Sequence, residues 1–317
     1  MILTSCGVTP ESSQKSSVNI SNTSNQFANI NTTVGEVISN PAFEDFGRLL
    51  FPVDRTVTDD MTLAEISTSR VYTWYNNIQS DKTVEIINVL AERAENGQQI
   101  FYSIYSEEEM QADESKRDTG LFFFKGEAGA KFSIMNAGGG FAYVGAMHDS
   151  FPHALEVSKM GYNAFALIYR PDDPYNDLAK AIEFIYDHAE ELEVDTDYYS
   201  LWGGSAGARM AATLGNADNL TALTQRKDIK QAGAVIMQYT GHSDYTENDP
   251  PTFACVGEGD GIANWRIMER RLTAMSTLGI PTEFHHYPGL PHGFGLGTGT
   301  VAEGWLDEAV AFWKAQM

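Results

Sequence analysis

The chain has 317 residues, 43 of them acidic and 21 basic, giving a formal net charge of −22 at pH 7, with 43% hydrophobic and 20% charged residues. These are globular proportions, with enough chain to bury a core, and the acidity excludes a nucleic-acid binder, which must neutralise phosphates with Lys and Arg. It equally excludes attraction to anionic lipid headgroups, and the lack of any run of about 18 apolar residues excludes a bilayer-spanning helix.

Residues 1–40 read as a disordered leader. Between positions 11 and 33 the sequence is mostly Ser, Asn and Thr, too polar to pack and suited to a tether. Near its start, Leu3-Thr4-Ser5-Cys6 resembles the lipobox of bacterial lipoproteins, where a lipid is attached to the cysteine. The resemblance implies lipidation at Cys6 and a bacterial cell-envelope location, lipid-anchored or extracellular. Only five residues precede Cys6, whereas a secretory signal needs an apolar stretch of about 7–15 residues. The alternative is therefore a plain polar leader on a cytoplasmic protein. Cys255 lies in the apolar run Thr-Phe-Ala-Cys-Val, which reads as a buried strand, so no disulfide to Cys6 is expected.

Residues 41–118 mix apolar patches with helical spacing, as at Val84, Ile87, Leu90 and Ala91, and are expected to form a helical, partial cap on the core. Segment 107–117 reads as a charged, solvated loop. No internal repeat is visible. From about residue 100 a strand, turn and helix alternate. Strands are expected at 100–105, 121–124, 132–136, 164–169, 199–202, 232–237, 253–256 and 283–287. Helices are expected near 151–160, around Leu178–Ile185, and at 206–214, 262–278 and 302–315. The fold class is therefore α/β, a mostly parallel central sheet with helices on both faces, its core spanning 119–317. Ligands of such sheets sit beyond the C-terminal strand ends.

Gly203-Gly204-Ser205-Ala206-Gly207 follows a strand and opens a helix, the setting of a nucleophile elbow. Small residues two before and two after the serine permit the tight turn, and the helix N-terminus favours developing negative charge. Serine needs a base. Among seven histidines, His292 in Pro291-His292-Gly293-Phe294 follows the last strand in a flexible loop. His285 and His286 are neighbours in a strand and point to opposite faces. His153 and His188 fall inside helices, while His148 and His242 lie in loops near strand ends, where they would line the pocket. The orienting acid is Asp260 or its competitor Glu258, both after the strand at 253–256, with Asp244 less well placed. Gly138-Gly139-Gly140 ends an early strand and would present backbone N–H groups, with that of Ala206, to an oxyanion. The same run matches neither G-x-G-x-x-G nor a Walker pattern, and no metal-ligand spacing occurs. No cofactor and no metal are expected.

Taken together, Gly138–Phe141, Tyr169-Arg170, the elbow, Gly257–Asp260 and Pro291–Phe294 run in the order of a known family. Over residues 118–317 the chain resembles the α/β-hydrolase superfamily, in its esterase/lipase branch related to hormone-sensitive lipase and the small carbohydrate esterases. The resemblance implies Ser205 as nucleophile, Asp260 as orienting acid and His292 as base. It also implies oxyanion donors at Gly139, Gly140 and Ala206, and a structural role for Arg170. Ala137 stands where the family usually has histidine before its three glycines, which is more typical of the carbohydrate esterases. The expected function is a serine esterase acting on short-chain esters, of acetyl size, of small neutral alcohols or carbohydrates, since the short 237–250 segment leaves no room for a bulky lid. A peptidase of the same fold and a catalytically silent, lipid-tethered binding protein are the competing expectations.

Overall fold

Apolar runs separated by glycine and polar turns form eight strands in the computed structural model, which describes residues 26–317. They are β1 (Phe101–Tyr102), β2 (Gly120–Phe124), β3 (Ala130–Asn136), β4 (Asn163–Ile168), β5 (Val194–Gly204), β6 (Ala234–Gln238), β7 (Thr252–Gly257) and β8 (Thr282–Tyr287). One sheet joins them in the order β1-β2-β4-β3-β5-β6-β7-β8. β2 runs antiparallel to β1 and β4, and all remaining pairs are parallel. Every residue of β2, β4, β6 and β7 is buried, so both faces of the sheet are covered, as parallel sheets require. Helix Phe151–Lys159 packs on β2, β3 and β4, helix Ala206–Gly215 on β3, β5 and β6, and helix Trp265–Thr277 on β7 and β8. Each expected strand forms. β1 shrinks to two residues because it lies at the sheet edge and pairs only with β2.

Two local expectations are corrected. Segment 107–117 is no loop: Glu107–Ala112 is helical and Glu114–Asp118 forms a 3₁₀ turn. Ser106 and Glu109 supply a reciprocal capping box, which satisfies helix N-terminal donors without any buried side chain. The polar leader also ends earlier than residue 40. Val34–Ile38 is a helix with a Thr33/Glu36 capping box, and Ala28, Val34 and Val37 are buried. Apolar positions spaced for one helical face outweigh the Ser/Asn/Thr-rich surroundings. Cys6 and its lipobox-like tetrapeptide lie outside the described residues.

Residues 41–118 do not stand apart from the sheet. Phe43, Leu50, Ile66, Ile86 and Leu90 share one continuous apolar cluster with the strands. This packing brings the turn around Trp74 and Tyr75 to the C-terminal ends of β3 and β5. Among the described residues, no helix is long and apolar enough to cross a membrane.

Candidate active site

β5 ends in Gly204, and the chain turns sharply into the helix Ala206–Gly215. Ser205 at the bend has φ 52° and ψ −113°, a conformation that L residues rarely adopt and that marks a turn held by its surroundings. Its amide donates to the Gln238 carbonyl at 2.9 Å. The glycines of the elbow are steric necessities. A Cβ on Gly207 would lie 1.9 Å from the Asn136 carbonyl oxygen, and one on Gly203 would lie 2.2 Å from the Gly207 carbonyl carbon.

His292 Nε2 lies 3.1 Å from Ser205 Oγ, and His292 Nδ1 donates to Asp260 Oδ2 at 2.7 Å. The other Asp260 oxygen accepts the amides of Ile262 and Ala263, both at 2.7 Å. This side chain is fully buried beneath the imidazole, so its three donors hold a fixed carboxylate. Glu258 turns away and accepts from His286 Nδ1 at 2.6 Å. Asp244 is exposed, and its carbonyl is engaged by Arg271 Nε at 2.8 Å. Of the three candidate acids, only Asp260 meets His292. The His292 carbonyl accepts from Asn76 Nδ2 at 2.7 Å, while the Asn76 amide donates to Gly293 at 2.9 Å. The N-terminal region therefore anchors the histidine loop.

The glycine run after β3 lies against the serine: a Cβ on Gly138 would come within 2.9 Å of Ser205 Cβ. Gly139 and Gly140 have φ of 128° and 64°, accessible to glycine at little cost. Among the described residues, the amides of Gly139, Gly140 and Ala206 make no hydrogen bond. The Gly138 amide is occupied, donating to Asp149 Oδ2 at 2.7 Å. The amides of Gly139 and Gly140, on the loop that lies against Ser205, and of Ala206, at the positive end of the following helix, are thus left unengaged among the described residues.

Asp149 was not visible as a site residue in the sequence. It is buried beneath the elbow, and a Cβ on Gly204 would lie 2.3 Å from its Oδ2. It accepts the Tyr75 hydroxyl at 2.8 Å and the Tyr239 hydroxyl as well. Burial pushes its carboxyl up to about 6, against the three donors that favour the charged form. Burial and the adjacent carboxylate raise the Tyr75 and Tyr239 hydroxyls. No short-range pattern announces this cluster; the adjacent pair Trp74-Tyr75 in a polar turn was the one available sign.

The remaining histidines serve elsewhere. His148, expected in a loop lining the pocket, sits instead in the helix Ala146–Asp149. Its packing against Tyr75 buries it, and its Nε2 lies 3.1 Å from the Gly293 carbonyl. Burial lowers it to about 4, so it stays neutral. His153 packs on Trp305, His188 bonds the Phe184 carbonyl through Nδ1, and His285 pairs with Glu283. His242 is half-buried beyond β6 and lowered by burial to about 4. Arg170 closes β4 on Asp177, with Nη2 to Oδ1 at 2.7 Å, away from Ser205. Among the described residues, no group of three His, Cys, Asp or Glu side chains is arranged to hold a metal ion.

The family model BD-FAE matches residues 131–247, a stretch that includes the glycine run and the serine elbow. No curated protein matches the chain. Among solved structures, an α/β hydrolase from a Medee basin deep-sea metagenome library is similar over 62% of this chain and 92% of its own, at 21% identity and TM-score 0.53. An acetyl ester-xyloside bifunctional hydrolase from Caldicellulosiruptor lactoaceticus is 20% identical, covering 62% and 88%, with TM-score 0.54. Esterase 2 of Thermogutta terrifontis, solved phosphoramylated by tabun, is 22% identical, covering 62% and 89%, with TM-score 0.55.

Proposed function

From the premise that this chain is an α/β hydrolase, we propose that it is a serine carboxylic-ester hydrolase acting on short acyl esters, acetyl esters of carbohydrates foremost. The reading rests on one observation: His292 bridges Ser205 and Asp260 through its two ring nitrogens, at 3.1 and 2.7 Å, beside three unengaged amides.

Ser205 Oγ attacks the acyl carbonyl as His292 Nε2 takes its proton, and Asp260 stabilises the imidazolium that results. The tetrahedral oxyanion is held by the amides of Gly139, Gly140 and Ala206, each worth about 2.7–4 kcal/mol in comparable sites. His292 then protonates the departing alcohol, leaving an acyl-enzyme on Ser205. Water deprotonated by His292 attacks the acyl carbon, and the acid leaves as Ser205 recovers its proton. The −22 charge favours a neutral substrate over an anionic one. The esterase and xyloside-hydrolase neighbours support the ester class, and the short 237–250 segment supports a small acyl group.

Hydrolysis of p-nitrophenyl acetate tests the proposal. The wild-type chain should turn it over and be labelled on Ser205 by a fluorophosphonate, while Ser205→Ala should lose both. Substantial turnover in Ser205→Ala, or no adduct on the wild type, would sink it. The lipobox-like Leu3–Cys6 motif supports a lipid anchor and a cell-envelope location, which intact mass analysis of the native protein checks through an added acyl mass.

A further inference from the structure

Trp74 sits half-exposed in a strained turn between the glycine run and the loop of His292. Its backbone has φ 75°, an outlier for a bulky residue and one that persists only where neighbours enforce it. Those neighbours are all parts of the site. On one side, the Thr73 carbonyl accepts the Tyr143 hydroxyl at 2.6 Å, and the Trp74 and Tyr143 rings stack at 6.1 Å. On the other, Tyr75 is tied to Asp149 and Asn76 to the His292 loop. The indole edge lies against the glycine run: a Cβ on Gly140 would meet it at 3.0 Å. The Trp74 carbonyl approaches the opposite loop, 2.9 Å from where a Cβ of Gly293 would stand. Trp74 thus spans from the oxyanion loop to the loop of the catalytic histidine, and still leaves 46% of its surface exposed.

His292 must deliver its proton to the leaving oxygen, so the alcohol lies between that imidazole and the oxyanion donors. The Trp74 ring borders the glycine-run side of this space, and its backbone carbonyl lies against Gly293 beside the histidine. Phe141, half-buried and also at positive φ, follows Gly140 and packs its ring on Tyr169 and Tyr175, so Trp74 is the aromatic ring against Gly140. An open aromatic face attracts a flat partner with apolar C–H or π surface, and the acidic chain offers no matching charge for an anionic one.

We propose that Trp74 is the platform on which the ring of the leaving alcohol stacks, and that this ring is the C–H face of a pyranose. The assignment rests on the esterase reading above and gives its substrate class. Trp74 also lies outside residues 131–247, the part matched by the family model, so the platform belongs to this chain's own N-terminal region.

Three acetates test it on the full chain: a monoacetylated methyl pyranoside, phenyl acetate, and ethyl acetate, which has no ring. In Trp74→Ala, kcat/KM for the pyranoside should fall about ten-fold, mainly through KM, the effect expected of one lost stacking contact. Ethyl acetate should stay within about two-fold, and Trp74→Phe should recover most of the pyranoside activity. An unchanged pyranoside rate overturns the platform. An equal loss on all three acetates also overturns it, because Trp74 would then merely support Gly140. A loss confined to phenyl acetate overturns the pyranose assignment. Should the wild type hydrolyse none of the three, the esterase reading itself falls, a result distinct from every outcome that touches Trp74 alone.

Discussion

The carboxylate of Asp149 accepts the amide of Gly138 at 2.7 Å, and this bond ties the buried floor of the site to the loop carrying Gly139 and Gly140, the proposed oxyanion donors. Tyr75 and Tyr239 donate to the same carboxylate from the N-terminal region and from the end of β6. Three chain segments therefore meet on one acid. Asn at this position has one acceptor oxygen, and its NH₂ group must face a donor unless a hydroxyl rotates. Asp149→Asn is expected to lower kcat at least ten-fold with KM little changed, because Gly139 and Gly140 lose their fixed aim. Steady-state kinetics on p-nitrophenyl acetate measures this; an unchanged kcat would remove Asp149 as a positioning residue.

Asp149 and His148 should give opposite pH dependences of stability. Burial raises Asp149 from 3.8 to about 6, so between those values the folded chain holds a proton that the unfolded chain has released. Its contribution is most favourable below about pH 4 and is lost as pH rises through 6, by roughly 3 kcal/mol. His148 is lowered from 6.5 to about 4, so its contribution is complete above about pH 6.5 and lost as pH falls toward 4. Urea unfolding from pH 4 to 7 should show Asp149→Asn gaining stability relative to wild type as pH rises. His148→Gln should gain relative to wild type as pH falls.

Asp260 and Glu258 stand two residues apart but have different partners, His292 and His286. Asp260→Asn should reduce kcat by about 10³–10⁴, the scale seen when a triad loses the carboxylate that sets the histidine tautomer. Glu258→Gln should stay within about three-fold, since exposed pairs contribute little. Comparable losses in both would contradict the assignment.

Gly207→Ala should destabilise the elbow severely, because its Cβ would enter the Asn136 carbonyl group; about 3 kcal/mol or more is expected from overpacking with backbone displacement. Gly241→Ala, where no atom lies within 4 Å of the new methyl, should leave the melting temperature within about 2 °C. Differential scanning fluorimetry of the two variants decides it.

Arg170 and Asp177 form a buried pair with side-chain exposures of 8% and 0%. Arg170→Ala leaves the buried aspartate with the Tyr105 hydroxyl and the residue-170 amide but no cation, and should cost about 3 kcal/mol, while the folded fraction keeps kcat within a few-fold. Chemical denaturation and titrated active-site kinetics separate the two effects. A selective loss of kcat without loss of stability would instead place Arg170 in the chemistry.

Local pattern by itself determined the strands, the elbow, the glycine run and the loop of His292, because each is written in consecutive residues: apolar runs, small residues around Ser205, and turn-forming glycines. It also holds signals that polar surroundings mask. The capping boxes at Thr33–Glu36 and Ser106–Glu109 lie within four residues, but their polar surroundings suggested leader and loop. Only the tertiary structure decided between Asp260 and Glu258, since the choice depends on how the loop after β7 meets one 32 residues away. It alone revealed Asp149, whose hydroxyl partners lie 74 and 90 residues distant, and Trp74, which reaches the site because the N-terminal region packs into the same core. Sequence periodicity reports which face of an element is buried. Which distant polar groups share a carboxylate is settled by packing, where burial makes every unpaired donor costly and leaves few arrangements that satisfy them all.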